Sequence, residues 1–277
     1  MPDTKDDAVQ TDAGAEVAAP AAPVNQELVV RARVDLPAIH GQFGDAANEV
    51  LSRLGAPSSN RLKVTQSKTF VLPDGTEMGG PLPFVIVDFV AANAWYASQF
   101  NPNDITPPDC AAIGVDPNGL KAYDDSPDKQ CDTCAACPKN QFGSNGRGKA
   151  CSNTKLLALM SPTAEPGAEF LKLRVSATAL RPFETYVRQL AKTFGRPHYS
   201  VLTWIGFDPA STYATLRFGN PMPLDGDLSI EGKIVDGPSL LAEAVARQDE
   251  ARELLLAKPD FTIQAAPKPA ARGGRRG

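Results

Sequence analysis

Five cysteines fall within 42 residues of this 277-residue chain: Cys110 in "TPPDCAAIG", then Cys131, Cys134, Cys137 and Cys151 in "CDTCAACPKNQFGSNGRGKAC". Thiolates in a C-x2-C pair can face one ion from a tight knuckle, and a soft tetrahedral sulfur shell selects zinc or an iron–sulfur cluster. Two such pairs overlap here, Cys131–Cys134 and Cys134–Cys137, and spacing alone makes them equally good. Pro127, Pro138 and the "GSNGRG" loop leave the segment little core of its own, so a metal would supply the missing cross-links and folding energy. Disulfides or free thiols are the alternative. The metal would be structural, because catalytic zinc keeps an open position and usually takes His or carboxylate ligands. The only histidines, His40 and His198, stand in no H-E-x-x-H or H-x-E context. An odd number of cysteines argues against a secreted disulfide framework. The N-terminal "MPDTKDDAVQTDAGAEVAAPAAPVN" has no basic stretch followed by an apolar run, and a cytoplasmic location is expected.

A net charge of −4 argues against a polyanionic partner until it is mapped along the chain. Residues 139–196 carry +7 and residues 264–277 carry +4, whereas 1–27, 28–138 and 197–263 each carry −5. Such asymmetry concentrates positive potential where a polyanion can sit. A sequence-neutral binder of single strands needs a positive groove for phosphates and aromatic faces for bases. Candidates for the first role are Lys139, Arg147, Lys149, Lys155, Lys172, Arg174, Arg181, Arg188 and Lys192. Candidates for the second are Phe142, Trp95, Tyr96, Tyr186 and Trp204. Phe142 is either a stacking platform or a plug that fixes the "FGS" turn. The stretch "GSNGRGK" lacks the G-x4-G-K-[ST] pattern because Ala150 follows Lys149, so it reads as a flexible basic loop without a nucleotide cofactor.

Two other function classes are open to the residues. A nuclease would need clustered carboxylates for metal ions. Asp124, Asp125, Asp128 and Asp132 are clustered, but in a loop where they read as solvated side chains, and no enzyme is expected. A zinc-ribbon transcription or replication factor would act mainly through protein contacts, using its acidic arm and a C-terminal amphipathic helix. No run of about 18 apolar residues is present, so no membrane partner is expected.

The elements that must position these residues follow from periodicity. Residues 1–27 read as a disordered acidic arm and 264–277 as a disordered basic tail. Between them, residues 28–263 read as one domain. "ELVVRARVDL" is strand-like, and "GQFGDAANEVLSRLG" is a short helix ending at Gly55. "RLKVTQSKTFVL" and "GGPLPFVIVDFVAANAWYAS" form a hairpin through "PDGTEMGG", and the apolar run Phe84 to Val90 fits a strand buried on both faces. In "EFLKLRVSA", Leu171, Leu173 and Val175 alternate with Lys172, Arg174 and Ser176, a half-exposed strand with a basic outer face. A helix starting near Pro182 carries Phe183, Val187, Leu190 and Phe194 on one stripe and stops at Gly195. A hairpin over "HYSVLTWIGFDPASTYATLRFGNPMPL" and an amphipathic helix over about 239–257 complete the order. The class is mainly β with minor α. An OB-type β-barrel with a four-cysteine insertion at about 106–152 is expected, and a β-sandwich is the alternative.

The run "PPDC … CAACPKNQFGSNGRGKACSNTKLLALM", with "FLKLRVSATALRPFETYVRQLA" and "YSVLTWIGF" after it, resembles a family of bacteriophage single-stranded DNA-binding proteins. These carry a C-x2-C-P-x-N-x-[FW]-G-S … G-K-x-C element. The resemblance covers roughly residues 60–220, and the arms and the C-terminal helix lie outside it. It implies an OB-type barrel with a zinc-binding insertion and sequence-neutral binding of single-stranded DNA. Such a protein supports phage DNA replication, recombination or transcription in the host cytoplasm, with replication or transcription proteins as further partners. Because the family's C-x2-C pair directly precedes Pro-x-Asn, the resemblance maps one structural Zn2+ onto Cys110, Cys134, Cys137 and Cys151. Cys131 is then spare.

Overall fold

The computed structural model describes residues 60–98 and 107–259. The chain divides into two units, residues 1–56 and 57–277, and every described residue belongs to the second. The expected acidic arm, basic tail, strand over 27–36 and helix over 41–55 lie outside the described residues.

Three short strands come first: β1 (Arg61–Val64), β2 (Thr69–Val71) and β3 (Glu77–Gly79). The long strand β4 (Leu82–Trp95) is followed by β5 (Cys110–Gly114), β6 (Ser152–Met160) and β7 (Leu171–Val175). Helix α1 (Ala177–Thr193) leads into the hairpin of β8 (Val201–Phe207) and β9 (Leu216–Pro223). A small hairpin, β10 (Leu228–Ile230) with β11 (Lys233–Val235), precedes helices α2 (Gly237–Ala246) and α3 (Gln248–Leu256).

The protein is mainly β. One nine-stranded sheet runs in the order β3-β2-β1-β7-β6-β4-β8-β9, with β5 also paired to β4, and it curls into a half-barrel. This is a single curled sheet, so the two stacked sheets of a sandwich are not what the chain builds. Side chains tie the two limbs of the curl together. Phe70 of β2 lies 4.6 Å from Phe207 of β8, ring centre to ring centre, and Lys68 Nζ donates to the carbonyls of Asp208 (3.2 Å) and Ser211 (2.7 Å).

Strand β4 sits at the centre. One edge pairs with β6 along Val85–Ala94; the other pairs with β8 at Leu82–Phe84 and with β5 at Ala91–Trp95. Phe84 and Ile86 join the inner core with Leu157, Leu173 and Phe183, while Val85, Val87 and Val90 join an outer core with Leu240, Ala244, Ala251 and Leu255 of α2 and α3. The apolar run, broken only at Asp88, is thus covered on both faces, as expected, and each large side chain contributes about 1.5–3 kcal/mol. A bulge between Ile86 and Asp88 resets the alternation, so that Phe89 packs on the inner core and Val90 on the outer. At that bulge Asp88 Oδ2 accepts from Arg252 Nε at 2.9 Å, docking α3 on the sheet.

Two helix boundaries differ from expectation. Helix α1 begins at Ala177, after Ser176, and Pro182 stands inside it. The extra turn buries Ala179 in the inner core, and that packing outweighs the one hydrogen bond the proline removes. Phe194, expected on the apolar stripe, caps the helix and is exposed. The single C-terminal helix expected over 239–257 is two, separated at Arg247. Its guanidinium donates to Glu243 and Ala168 (2.9 Å each) and to Glu250 (2.8 Å), and lies 4.2 Å from the Phe170 ring centre. These contacts fix the break, and Val245 at the end of α2 faces solvent. Among the described residues no helix is long and apolar enough to cross a membrane.

His198, in a single 3-10 turn before β8, packs against Phe89 at 4.9 Å, and its buried Nε2 has no hydrogen-bond partner among the described residues. Burial lowers its pKa below the ordinary 6.5, against the opposing influence of Asp88 and of a hydrogen bond to the Val87 backbone. A base whose folded pKa is depressed binds more protons when unfolded, so its contribution to stability is lost as pH falls through the ordinary value. The thermal midpoint should therefore fall between pH 7.5 and 5.5. His198→Phe, which keeps the ring contacts, should flatten that fall when unfolding is followed by circular dichroism. An equal pH slope in the variant would exclude His198 as its source.

Candidate metal centre and nucleic-acid interface

Sheet register brings distant cysteines together. Trp95 stands opposite Cys110 in the β4–β5 pairing, and Ala94 stands opposite Ser152 in the β4–β6 pairing. Cys110 and Cys151 are therefore carried to the same end of three adjacent strands, on either side of Trp95. The intervening chain folds back over them: the N–H of Cys134 donates to Leu120 (3.0 Å), that of Ala122 to Asp132 (3.2 Å) and that of Cys151 to Lys139 (2.8 Å). Among the described residues this segment contributes to a minor core of Ala91, Ala112, Leu120 and Cys134, and Ile113 packs on the outer core.

All five cysteines line one cavity of about 10 Å³, together with Asn93, Trp95, Lys139 and Asn140. That is room for one atom-sized occupant. Cys134, Cys137 and Cys151 are buried, while Cys110 and Cys131 are half-buried; all five are free thiols. Burial pushes the Cys151 thiol up to about 12, and the neighbouring charges of Cys134, Cys137 and Cys110 push the same way. Burial also raises Cys134, against a hydrogen bond from the Asn93 side chain. Thiolates crowded into so small a space require a cation to remain charged, and the donor chemistry fits a soft tetrahedral ion. Among the described residues, however, no three His, Cys, Asp or Glu side chains are already drawn into a metal shell.

Two amides stiffen the centre, and neither had been singled out as a site residue. Asn140 Nδ2 donates to the Cys134 carbonyl at 2.8 Å, closing the knuckle around Pro138, and Asn93 Oδ1 accepts from Asn153 Nδ2 at 2.7 Å. The signal for Asn140 is its place two residues after Cys137-Pro138. No local signal marks Asn93, which reads as one more position of a strand.

The loop after the knuckle is a closed hairpin rather than a flexible one. Asn145 and Gly148 bridge each other, Gly143 donates to Gly148 at 2.9 Å, and Ala150 donates to Ser144 Oγ at 2.9 Å. Gly146 takes the left-handed φ of 60° that the tight turn requires. Arg147 is exposed at the tip. Phe142 is 82 % exposed, so it does not plug the turn, and Lys149 Nζ lies 5.1 Å from its ring centre.

The remaining candidates are distributed over several elements. Trp95 is a half-buried wall of the cysteine cavity, with Lys139 Nζ 5.0 Å from its ring centre. Tyr96, next along, is exposed. Lys172 and Arg174 face outward from β7, and Arg181, Arg188 and Lys192 are exposed on α1. Trp204 lines a separate cleft of about 420 Å³ with Lys68, Phe207 and Arg217. Two candidates need correction. Tyr186 is 6 % exposed and its hydroxyl bonds Thr203 Oγ1 at 2.8 Å, so its ring belongs to the core and offers no stacking face. Lys155 is 9 % exposed, lies 5.4 Å from the Phe89 ring centre and pairs with Glu184 at 3.8 Å, so its charge serves the domain interior. Periodicity could not find these, because both depend on where α1 packs.

Three of the four clustered carboxylates beside the centre are paired with lysines. Lys129 Nζ bonds Asp124 and Asp132 at 2.7 Å each, and Lys258 pairs with Asp125. The chain matches no protein-family model, no curated protein and no solved structure.

Tyr186 and Phe142 should separate in urea unfolding. Tyr186→Phe leaves the buried Thr203 hydroxyl without its partner and should cost about 1–3 kcal/mol. Phe142→Ala should stay within about 0.5 kcal/mol, as an exposed substitution does. The reverse order would contradict these placements.

Proposed function

We propose that the protein is a sequence-neutral single-stranded DNA-binding protein built on an OB-type barrel, with one structural zinc held by Cys110, Cys134, Cys137 and Cys151. The observation that carries this is Phe142: an exposed aromatic face on a hydrogen-bonded hairpin, with Lys149 over the ring and Arg147 at the tip. An unpaired base can stack on such a face while the cations take its phosphates.

The strand order supports the barrel. Strands β7-β6-β4-β8-β9 are neighbours in that sequence, and α1 lies between β7 and β8. An OB barrel has this order for its strands 3-2-1-4-5, with its helix between strands 3 and 4. On that correspondence the cysteine segment is the loop between the first two strands and residues 208–215 are the loop between the last two. Those are the two loops with which OB domains hold oligonucleotides. This is an analogy of fold, and the site's own residues must bear the function. Burial and charge gather the cysteines around one cavity, but Cys110 and Cys131 are both half-buried and both act on Cys134, so the zinc register rests on the family resemblance. The helices that a protein-contact factor would use are packed on the sheet through Leu240, Ala244, Ala251 and Leu255, so nothing favours that alternative. On the reading adopted here the protein is a binder and no enzyme, acting in phage DNA replication, recombination or transcription within the host cytoplasm.

Elemental analysis should find one zinc per chain, lost on Cys110→Ser, Cys134→Ser, Cys137→Ser or Cys151→Ser and kept on Cys131→Ser. A metal-free Cys131→Ser with a zinc-loaded Cys137→Ser would overturn the register. In anisotropy titrations, a labelled oligo-dT should bind more tightly than the same length of duplex. Phe142→Ala should weaken it by about 5- to 150-fold, the equivalent of roughly 1–3 kcal/mol for one stacked base. Equal affinity for duplex would sink the single-strand assignment.

A further inference from the structure

We infer that the outer face of the β1–β7 strand pair is a phosphodiester-binding ladder formed by Arg61, Lys63, Lys172 and Arg174, resting on the single-stranded DNA reading above. Arg61 and Lys63 belong to a strand whose sequence, "RLKV", by itself reads only as half of a hairpin. Tertiary pairing changes their meaning. Strand β1 lies parallel to β7 with Arg61 opposite Lys172 and Leu62 opposite Leu173. Leu62 and Leu173 both point into the inner core, so the cations that alternate with them share the opposite, outer face. Neighbouring strands are about 4.8 Å apart and same-face residues about 6.6 Å apart along a strand. Four positive charges thus stand on a small regular lattice, suited to successive phosphates of an extended chain.

Two features mark this lattice as more than a solvated strand face. Like charges directly opposite across a sheet destabilise it, and Arg61 faces Lys172 in that way. Lys172 is lowered in pKa by burial and by the charge of Arg61, so the pair bears a repulsion that a bound anion would relieve. Several other cations of the domain are held by carboxylates, Lys129 by Asp132, Arg217 by Asp208, Arg247 by Glu243 and Arg252 by Asp88, while Lys68, Lys139 and Lys149 are held by carbonyls or rings. Among the described residues none of the four ladder cations has an ion pair. The nearest acids on the same face in the pairing register are two strands away and already engaged: Glu77, from Lys63, is hydrogen-bonded to Thr69, and Asp88, from Lys172, holds Arg252. The chemistry left open is a polyanion with regularly spaced phosphates.

The test uses the full chain and labelled oligo-dT over a range of salt concentrations. Arg61→Gln with Lys63→Gln should lower affinity about tenfold at low salt and flatten the log–log salt slope by about 1.4, since each phosphate contact on a single strand contributes about 0.7. The exchange Arg61→Lys with Lys63→Arg should keep both. Without DNA, the double Gln variant should melt at the same temperature or about 1–2 °C higher, because the repulsion with Lys172 is gone. A merely structural role predicts the opposite, and a lower melting temperature accompanying the affinity loss would overturn the ladder. An unchanged slope in the variant, with wild type still binding in a salt-dependent way, would overturn the ladder alone. Wild type indifferent to single-stranded DNA would overturn both the ladder and the function on which it rests.

Discussion

Burial of β4 on both faces is the constraint on which the rest of this structure depends. Phe84 to Val87 and Val90 are buried away from water, so the chain must cover them from two sides. The inner cover is the curl of the sheet itself, closed by Phe70, Phe183 and Leu173; the outer cover is the pair α2 and α3. Only Asp88 interrupts the run, and it does so at a bulge where Arg252 reaches it from α3. An apolar side chain there would pack well enough, but it would not orient the helix. Removing one partner alone would leave a partly buried charge unpaired, which is why such a pair is better evidence for orientation than for net stability.

The same strand carries the cysteine centre at its far end. Beyond Val90, β4 passes through Ala91, Ala92 and Ala94, small residues with β5 on one side and β6 on the other. Small side chains leave little hydrophobic area, and the minor core beside them has only four members. Hydrogen bonds and sulfur chemistry take over where apolar burial runs out. Asn93, Asn140 and the backbone bonds of the knuckle hold the loops in register, and the thiols surround a space fit for one ion. The two ends of β4 thus use different physics, apolar packing at one and polar cross-linking at the other.

Electrostatics separates two kinds of cation in this domain. Lys129, Arg247 and Arg252 are consumed by carboxylates and serve the fold. Among the described residues Arg61, Lys63, Lys172 and Arg174 have no carboxylate partner, and neither has Arg147 at its hairpin tip. Net charge could not make this distinction, because it counts both kinds alike. Mapping charge along the chain went part of the way, since the basic block 139–196 contains Arg147, Lys172 and Arg174. It also swept in Lys155, which Glu184 and Phe89 hold inside the domain.

Much of this protein was readable from local pattern. Alternation in "EFLKLRVSA" gave the basic outer face of β7, the continuous run Phe84–Val90 gave a strand covered twice, and the clustering of cysteines gave a shared cavity. Each of these depends on neighbours a few residues apart, where backbone periodicity dictates direction. Other features were decided by contacts between residues far apart in the chain. Tyr186 and Lys155 turned inward because α1 lies across the inner core, and α2 ended at Arg247 because Glu243, Glu250 and Phe170 converge on its guanidinium. Phe142 turned outward because hydrogen bonds, not its ring, close the hairpin. Arg61 came to face Lys172 across 111 positions only because β1 and β7 pair in parallel, and strand pairing at that distance is a property of the folded sheet that no local window contains.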